Sequence, residues 1–234
     1  MKFADLPTPC FVVDKALLEQ NLKILQGVMQ RTGCKILLAQ KAFSLYKLYP
    51  LIGQYLSGTA ASGLYEARLG REEMGKENHV FSPAFREADM DELTKICGHI
   101  VFNSFSQLER FGAQARAAGC EIGLRLNPEC STQEGHAVYD PCSPNSRLGV
   151  TKANFRPELL NGVSGFHFHT LCEQNSDALL TTIAAIEEQF GEWLPQMKWL
   201  NLGGGHHITR SDYDMAALEQ CIIRLQKQYD LQVY

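Results

Sequence analysis

The sequence predicts an α/β protein built as a single parallel (β/α)8 barrel. Its 234 residues are 45% hydrophobic, which is enough to bury one large core. Short apolar stretches of strand length alternate with stretches of helical periodicity along the chain. Counted from the stretch that begins at Lys35, the strand-like stretches number eight, the number that closes a parallel barrel. A doubly wound sheet is the alternative arrangement of the same elements.

Residues 1–34 are expected to form a strand and a helix that lead into the barrel. Residues 10–13 are apolar and read as a short strand, and Asp14 is placed to cap the helix that follows. The helix is indicated by apolar residues at helical spacing, namely Leu18, Leu22, Leu25 and Met29.

Residues 35–234 are expected to form the barrel. The eight strands are predicted at residues 35–41, 58–62, 78–82, 99–103, 121–127, 163–170, 198–202 and 231–234. The stretches between strands look helical, and Ser104 with Gln107 fits a capping box. The chain stops at Tyr234 inside the predicted eighth strand, so the barrel either closes imperfectly or is truncated there.

Residues 129–156 form an insertion rich in Pro, Ser and Asn that is too long for an ordinary loop. Because long loops after barrel strands usually belong to the active-site face, we expect this insertion to lie there.

Composition excludes several classes of protein. The net charge of −4 leaves no basic surface for nucleic acid. No stretch has the length of a signal peptide or a membrane span, so a cytoplasmic protein without membrane contact is expected. The eight cysteines contain no C-x-x-C pair, which indicates free thiols rather than a zinc site or a disulfide framework. No metal is therefore expected.

Lys41 is the first candidate for chemistry because it ends an apolar stretch of strand length. An ammonium at the end of a buried strand is costly unless it is paired or used in a reaction. A lysine in such a place forms Schiff bases, and the commonest aldehyde cofactor held in that way is pyridoxal 5′-phosphate (PLP). The alternative is a strand-end lysine whose ammonium reaches into water.

Two predicted strands place polar side chains toward the barrel interior. In residues 121–127, Arg125 alternates with apolar residues and is expected to point inward, where it needs an anion or forms a buried salt bridge. In residues 163–170, His167 and His169 share one face. They fit a ring stacked on a flat cofactor or a metal site, but no third metal ligand follows at a recognisable spacing. A satisfied core histidine is the alternative for His167.

A run of three glycines, Gly203, Gly204 and Gly205, follows the seventh predicted strand. Backbone N–H groups at such a place can approach a phosphate without interference from a Cβ atom. Barrels commonly hold phosphate after this strand, whereas a plain tight turn needs only one or two glycines.

With these residues the chain resembles the PLP-dependent decarboxylases built on the alanine-racemase-type barrel. The group includes ornithine, diaminopimelate and carboxynorspermidine (carboxyspermidine) decarboxylases, and the last branch is the most similar. The matching motifs are Leu38-Ala-Gln-Lys41-Ala-Phe, Ser62-x-x-x-Glu66, Ser146-Arg-Leu-Gly149, Gly165-Phe-His-Phe-His169-Thr-Leu-Cys-Glu173 and Asn201-Leu-Gly-Gly-Gly-His-His207.

The resemblance implies a role for each candidate residue. Lys41 would hold PLP through a Schiff base and His169 would stack on its ring, with Arg125 under the ring. The phosphate would lie in a cradle formed by the glycine triplet, with Ser62 and Cys172 also in the cofactor site, although related enzymes have a serine where this chain has Cys172. On their acidity and position alone, Asp140 and Glu173 are expected to contact the amine end of a polyamine precursor.

The resemblance also implies a C-terminal β-domain, which we expect to be missing from this chain, and a homodimer in the full-length protein. The expected reaction is PLP-dependent decarboxylation of carboxynorspermidine or carboxyspermidine to norspermidine or spermidine. Two alternatives stay open: a PLP-carrier barrel without catalysis, and a sister decarboxylase of diaminopimelate, ornithine or arginine.

Overall fold

Eight parallel strands form one sheet in the order in which they occur along the chain. The computed structural model describes residues 3–133 and 139–234. The strands are β1 (Leu37–Ala39), β2 (Gly58–Ala61), β3 (Glu77–Phe81), β4 (His99–Phe102), β5 (Glu121–Arg125), β6 (Gly165–His167), β7 (Trp199–Asn201) and β8 (Gln232–Val233). The prediction of eight strands is confirmed, although most of them are shorter than the apolar stretches that indicated them.

Helices follow most of the strands and cover the outer face of the sheet. They are α1 (Lys15–Thr32), α2 (Tyr49–Ile52), α3 (Leu64–Glu73), α4 (Glu87–Ile96), α5 (Phe105–Ala117), α6 (Ser176–Phe190) and α7 (Met215–Tyr229). Within the described residues the connection from β5 to β6 has only short 3-10 turns, Lys152–Asn154 and Pro157–Leu159. Pro157 restricts the residue before it to extended backbone, which disfavours a longer helix.

The sheet curls into a barrel. Each strand pairs with the next, and Lys35 N donates to Val233 O at 3.0 Å, which brings the first strand beside the last. The alternative of a doubly wound sheet is wrong, because that fold requires strands out of chain order. No helix among the described residues is long and apolar enough to cross a membrane.

Strand periodicity sorts the side chains as the sequence indicated. On β5 and β6, Leu124 and Phe166 are fully buried between the sheet and the helices, in the large hydrophobic core. Their neighbours Arg125 and His167 face the barrel interior, where they are register partners. The interior of the barrel is therefore polar at this level and the apolar core lies outside the strands.

Helix starts follow the predicted caps with one change. Asp14 Oδ1 accepts from the N–H groups of Ala16 and Leu17, as expected of an N-cap. Ser104 Oγ accepts from Gln107 N, but the Gln107 side chain accepts from Asn103 N rather than from Ser104 N. The second half of the capping box is thus shifted by one residue toward the strand.

The expected strand at residues 10–13 is wrong. These residues are exposed and irregular, and Phe11 is completely exposed. A strand exists only where its N–H and C=O groups find a ladder, and within the described chain no neighbouring strand pairs with this segment. The division of the chain at residues 34 and 35 stays a prediction.

The insertion after β5 begins and ends beside the barrel. Asn127 N donates to Val150 O at 2.8 Å, so the two ends of the segment lie side by side. Asn103, after β4, clamps the returning chain: its Nδ2 donates to Arg147 O and its Oδ1 accepts from Gly149 N, both at 2.8 Å. The insertion therefore starts on the face expected from the sequence, and its residues 134–138 lie outside the described part.

Candidate active site

A cavity of about 300 Å³ opens at the carboxyl ends of the strands. It is lined by Lys41 after β1, Ser62 after β2, Arg125 at the end of β5, His169 after β6 and the glycine triplet 203–205 after β7. Because the strands are parallel, their carboxyl ends meet at one face of the barrel. The lining residues named above therefore come together there although they are far apart in the chain. The structure thus collects in one cavity most of the residues that the sequence singled out.

Lys41 is not buried. It lies in a turn after the fully buried Gln40 and is itself exposed, so the argument that burial makes its ammonium costly is wrong. Its position in the cavity is what recommends it. Lys41 lines the cavity together with His167 and His169. Burial and the nearby positive charges, that of Lys41 among them, lower the pKa of both rings.

Arg125 is buried with little to neutralise it. Its guanidinium lies 4.7 Å from the ring centre of Phe81, and one Nη donates to His169 O at 3.1 Å. Its Nε is buried without a partner among the described residues. Burial lowers the pKa of Arg125 to about 10, so the group remains a cation at neutral pH. The alternative of a buried salt bridge is wrong for the described residues, because no carboxylate lies in contact with this guanidinium.

The ring of His169 is held by the glycine triplet. Gly204 N donates to His169 Nδ1 at 2.9 Å, so a neutral ring carries its proton on Nε2. Burial, followed by the charges of Lys41 and Arg125, lowers the pKa of His169 to about 3. His169 is therefore a neutral, oriented imidazole that faces two cations.

His167 lines the same cavity, and its ring is not fully hydrogen-bonded. Its Nε2 is buried without a partner among the described residues, and its ring lies 5.4 Å from Phe81. Burial, followed by the charge of Arg125, holds the pKa of His167 well below its usual range. The alternative of a satisfied core histidine is therefore wrong. Arg125 and His167 present two unpartnered nitrogens on neighbouring strands.

Two of the three backbone N–H groups of the glycine triplet already have acceptors in the protein. Gly203 N donates to Asn201 Oδ1 at 2.8 Å, and Gly204 N is engaged by His169. Within the described residues, Gly205 N has no acceptor in the protein. Gly205 has φ +90, and a Cβ atom there would collide with Leu171 O. Only the third N–H group of the triplet is therefore free to meet an anion.

Three predicted site residues lie apart from the cavity. The Cys172 side chain is exposed, and Glu173 has a side chain 79% exposed, with Oε2 3.9 Å from Nε2 of His207. Asp140 Oδ1 accepts from Cys142 N at 2.8 Å, inside its own loop. None of the three is among the described residues that line the cavity. Their sequence signal was acidity or position in a motif, which does not set the direction of a side chain.

Other cavity residues were not chosen from the sequence. Phe81 on β3 carries Arg125 on its ring face, and Asn201 ends β7 beside the glycines. His206, whose pKa burial lowers to about 4, has Nδ1 3.0 Å from the hydroxyl of Tyr213. The alternation of β7 and the motif after it contained a signal for Asn201 and His206, whereas Phe81 had none.

A second polar cluster lies near the starts of β3 and β4, and two of its members, Lys35 and Tyr234, also line the cavity. Glu77 is hydrogen-bonded to Lys35 and to the Tyr234 hydroxyl, and its Oε2 lies 3.3 Å from Nε2 of His79. His79 stacks on His99 with ring centres 3.8 Å apart and planes 10° apart. The Glu77 carboxylate and the ring nitrogens of His79 and His99 lie within 4.8 Å of one another, and Lys35 forms an ion pair with Glu77. Because the Lys35 ammonium already supplies a positive charge beside Glu77, these residues form an ion-pair cluster.

Comparisons with known proteins agree with this geometry. No family model matches the chain. A carboxynorspermidine/carboxyspermidine decarboxylase of Campylobacter jejuni is 39% identical over all 234 residues and 60% of its own length. A carboxyaminopropylagmatine decarboxylase of Synechocystis is 43% identical over 214 residues, which are 92% of this chain and 55% of that protein.

Solved structures show the same fold. Carboxynorspermidine decarboxylase from Campylobacter jejuni, complexed with norspermidine, superposes with a TM-score of 0.90 at 38% identity, covering 98% of this chain and 59% of that one. SrLDC in complex with PLP and cadaverine has a TM-score of 0.71 at 17% identity, covering 99% of this chain and 60% of that one, a likeness of fold alone.

The fold and the cavity define an α/β barrel of the type found in the alanine-racemase-fold decarboxylases. Within that class the chain is similar over its whole length to carboxynorspermidine/carboxyspermidine decarboxylases. The resemblance predicted from the sequence is confirmed. The chain spans 55% to 62% of the length of the curated relatives that it matches.

Proposed function

We propose that this chain is the PLP-binding barrel of a decarboxylase that converts carboxynorspermidine or carboxyspermidine to norspermidine or spermidine in polyamine biosynthesis. One observation supports it above the others. Lys41 faces the same cavity as Arg125, His169 and the glycine triplet, each placed at the carboxyl end of a different strand. An amine, a neutral ring and a free backbone N–H group are the contacts that an aldehyde, a flat pyridine and a phosphate need.

The residues present fit PLP. The buried Nε of Arg125 and Nε2 of His167 lack partners among the described residues, which is costly unless a ligand supplies them. Gly205 N is free among the described residues, and a Cβ atom at Gly203 or Gly205 would collide with the backbone of the β6 loop, so only glycine lets the two loops approach this closely. Lys41 would hold the aldehyde through its amine, His169 would face the ring, and Gly205 would contact the phosphate.

When bound, PLP supplies an electron sink for the carbon that loses CO2. The protein positions the reacting groups. Gly204 fixes the plane of the His169 ring through Nδ1, so the ring needs no reorientation when a flat ligand arrives. The guanidinium of Arg125, held over Phe81, offers Nε and a positive charge to an acceptor atom from beneath. The low pKa of His169 keeps its ring uncharged beside Lys41 and Arg125 at neutral pH.

A second substrate has independent support. The relative of 43% identity is a carboxyaminopropylagmatine decarboxylase, so that compound is the alternative precursor. The binding of a substrate amine by Asp140 and Glu173 stays a prediction, as does the homodimer. Release of CO2 from carboxynorspermidine, carboxyspermidine and carboxyaminopropylagmatine, measured side by side on the full-length gene product, would separate the candidates. A protein that released CO2 only from diaminopimelate, ornithine or arginine would be a sister enzyme instead.

The experiment for the cofactor is borohydride reduction of the purified full-length gene product after addition of PLP. We expect the visible absorbance band of the bound aldehyde to disappear and the label to map to the peptide that contains Lys41. The Lys41→Ala variant should show neither band nor label. The matched control is Lys47→Ala, which changes an exposed lysine six residues further along the chain and should keep both the band and the label on Lys41. Labelling that persists in Lys41→Ala, or that maps to Lys47, would contradict the proposal.

A further inference from the structure

Three loops meet at the cavity face, and one residue joins them. We infer that Gln174 is a positioning residue that ties the loops after β5, β6 and β7 together and thereby sets the affinity of the site for the phosphate end of its ligand. This inference rests on the proposed function. Gln174 does not line the cavity, so it acts through the residues that it holds.

The backbone of Gln174 pairs with the loop that carries the glycines. Gln174 N donates to Gly205 O at 2.9 Å, and His207 N donates to Gln174 O at 3.0 Å. These bonds form a small parallel bridge between the β6 and β7 loops. The carbonyl that Gln174 holds belongs to Gly205, the residue whose N–H group is free. Movement of Gln174 is therefore transmitted to that N–H group.

The side chain of Gln174 pairs with the insertion after β5. Its Oε1 accepts from Thr132 Oγ1 at 3.0 Å and from Gln133 Nε2 at 2.6 Å, and its Nε2 donates to Thr132 O at 2.6 Å. Gln133 Nε2 also donates to Thr170 O at 3.2 Å, which links the insertion to the β6 loop a second time. The same Oε1 lies 3.4 Å from Cys172 N.

Only an amide satisfies this set of partners. Thr132 presents both a donor, its hydroxyl, and an acceptor, its carbonyl oxygen, so the partner needs an acceptor and a donor on one short side chain. A glutamate retains the acceptor but places a carboxylate against the Thr132 carbonyl. A methionine keeps the length and loses both functions. Loops have few buried contacts to hold them, so these bonds carry much of their order.

The test is a comparison of PLP with pyridoxal, which lacks the phosphate. The full-length gene product and its Gln174→Ala variant are titrated with each ligand, and dissociation constants are read from absorbance. Loss of the Gln174 side-chain hydrogen bonds should weaken PLP binding about tenfold, the equivalent of one or two hydrogen bonds. The dissociation constant for pyridoxal should stay within about twofold of the wild-type value. The order of PLP affinity should be wild type, then Gln174→Glu, then Gln174→Met with Gln174→Ala.

Gln114→Ala is the matched control. Gln114 on α5 also makes a side-chain hydrogen bond, to Asp91 Oδ1 at 2.6 Å, but on the outer surface of the barrel. It should bind both ligands like the wild type. A Gln133→Ala change combined with Gln174→Ala should cost less than the sum of the two single changes, because both remove the same bond. Additive costs would contradict a shared network.

A second measurement needs no cofactor. Hydrogen exchange of the ligand-free protein should be faster at residues 129–133 and at Cys172 in Gln174→Ala than in wild type, and unchanged in Gln114→Ala. If wild type binds PLP more tightly than pyridoxal and Gln174→Ala keeps that preference, the role of Gln174 is wrong and the proposed function stands. If wild type binds neither ligand, the proposed function is wrong, and the inference falls with it.

Discussion

The backbone N–H of Gly204 donates to Nδ1 of His169 across 2.9 Å, so the loop after β7 fixes the ring of a histidine that follows β6. The bond does two things at once. It places the proton of the neutral imidazole on Nε2, and it uses an N–H group that a glycine-rich loop would otherwise direct at a phosphate. The two motifs that looked separate in the sequence therefore form one unit.

His169→Phe tests this unit, since phenylalanine keeps a flat ring and removes the acceptor of the Gly204 N–H. We expect the ligand-free protein to lose about 1 kcal/mol of unfolding free energy, the cost of leaving a donor unpaired, as measured by urea unfolding. His207→Phe, at a half-buried histidine nearby, should change stability by less than about 0.5 kcal/mol. Equal effects of the two changes would mean that the bond contributes nothing.

Arg125→Met should separate binding from stability. The buried guanidinium has an Nε without a hydrogen-bond partner among the described residues. Methionine has a similar length and carries no such donor. The ligand-free protein should therefore be as stable as wild type or more stable, while PLP binds at least about tenfold more weakly. Thermal unfolding of the ligand-free protein and a PLP titration give the two values. A large loss of stability with unchanged affinity would show that Arg125 only supports the barrel.

Gly165→Ala should destabilise the barrel because the ring of Trp199 fills the space beside this glycine. A Cβ atom there would overlap several ring atoms of Trp199. The cost is expected to be about 1–3 kcal/mol of unfolding free energy, as for other overpacked cores. Gly98→Ala is the control, since nothing lies within 4 Å of a Cβ atom at that position. Adding Trp199→Phe to Gly165→Ala should recover part of the loss if the indole is the obstacle.

Acid should weaken the fold through histidines whose pKa is lowered in the folded protein. Burial lowers the pKa of His99 to about 3 and also lowers that of His79, whereas an unfolded histidine titrates near 6.5. Below pH 6.5 the unfolded chain binds protons that the folded chain does not, so stability falls as the pH drops from about 6.5 toward 3. Each such histidine contributes a slope of up to about 1.4 kcal/mol per pH unit.

Glu77 adds to the same trend at lower pH. Its pKa is lowered to about 2 against the opposing effect of burial, through His79 and Lys35. Its stabilisation is therefore present above the unfolded value and is lost as the pH falls toward 2. His99→Gln should reduce the slope of unfolding free energy against pH, between pH 6.5 and 4, by the amount that corresponds to about one bound proton. An unchanged slope in urea unfolding at several pH values would argue against a neutral His99 in the folded protein.

Local rules were sufficient where one residue type acts on its neighbours. Asp14 caps its helix because a short acidic side chain accepts from the N–H groups of the first turn. Alternation on β5 placed Arg125 inside the barrel because successive side chains on a strand face opposite sides. The same rules failed for residues 10–13, where strand formation depends on a partner rather than on the segment itself.

The sequence by itself determined the alternation of strands and helices, the inward direction of Arg125 and His169, and the position of the glycine triplet. These follow from periodicity and from backbone freedom, which are local properties. Only the tertiary structure decided that Lys41 is exposed, that His167 lacks a partner, and that Gln174 joins three loops. Those properties depend on which residues meet across the barrel, and contacts between side chains far apart in the chain are set by packing and register.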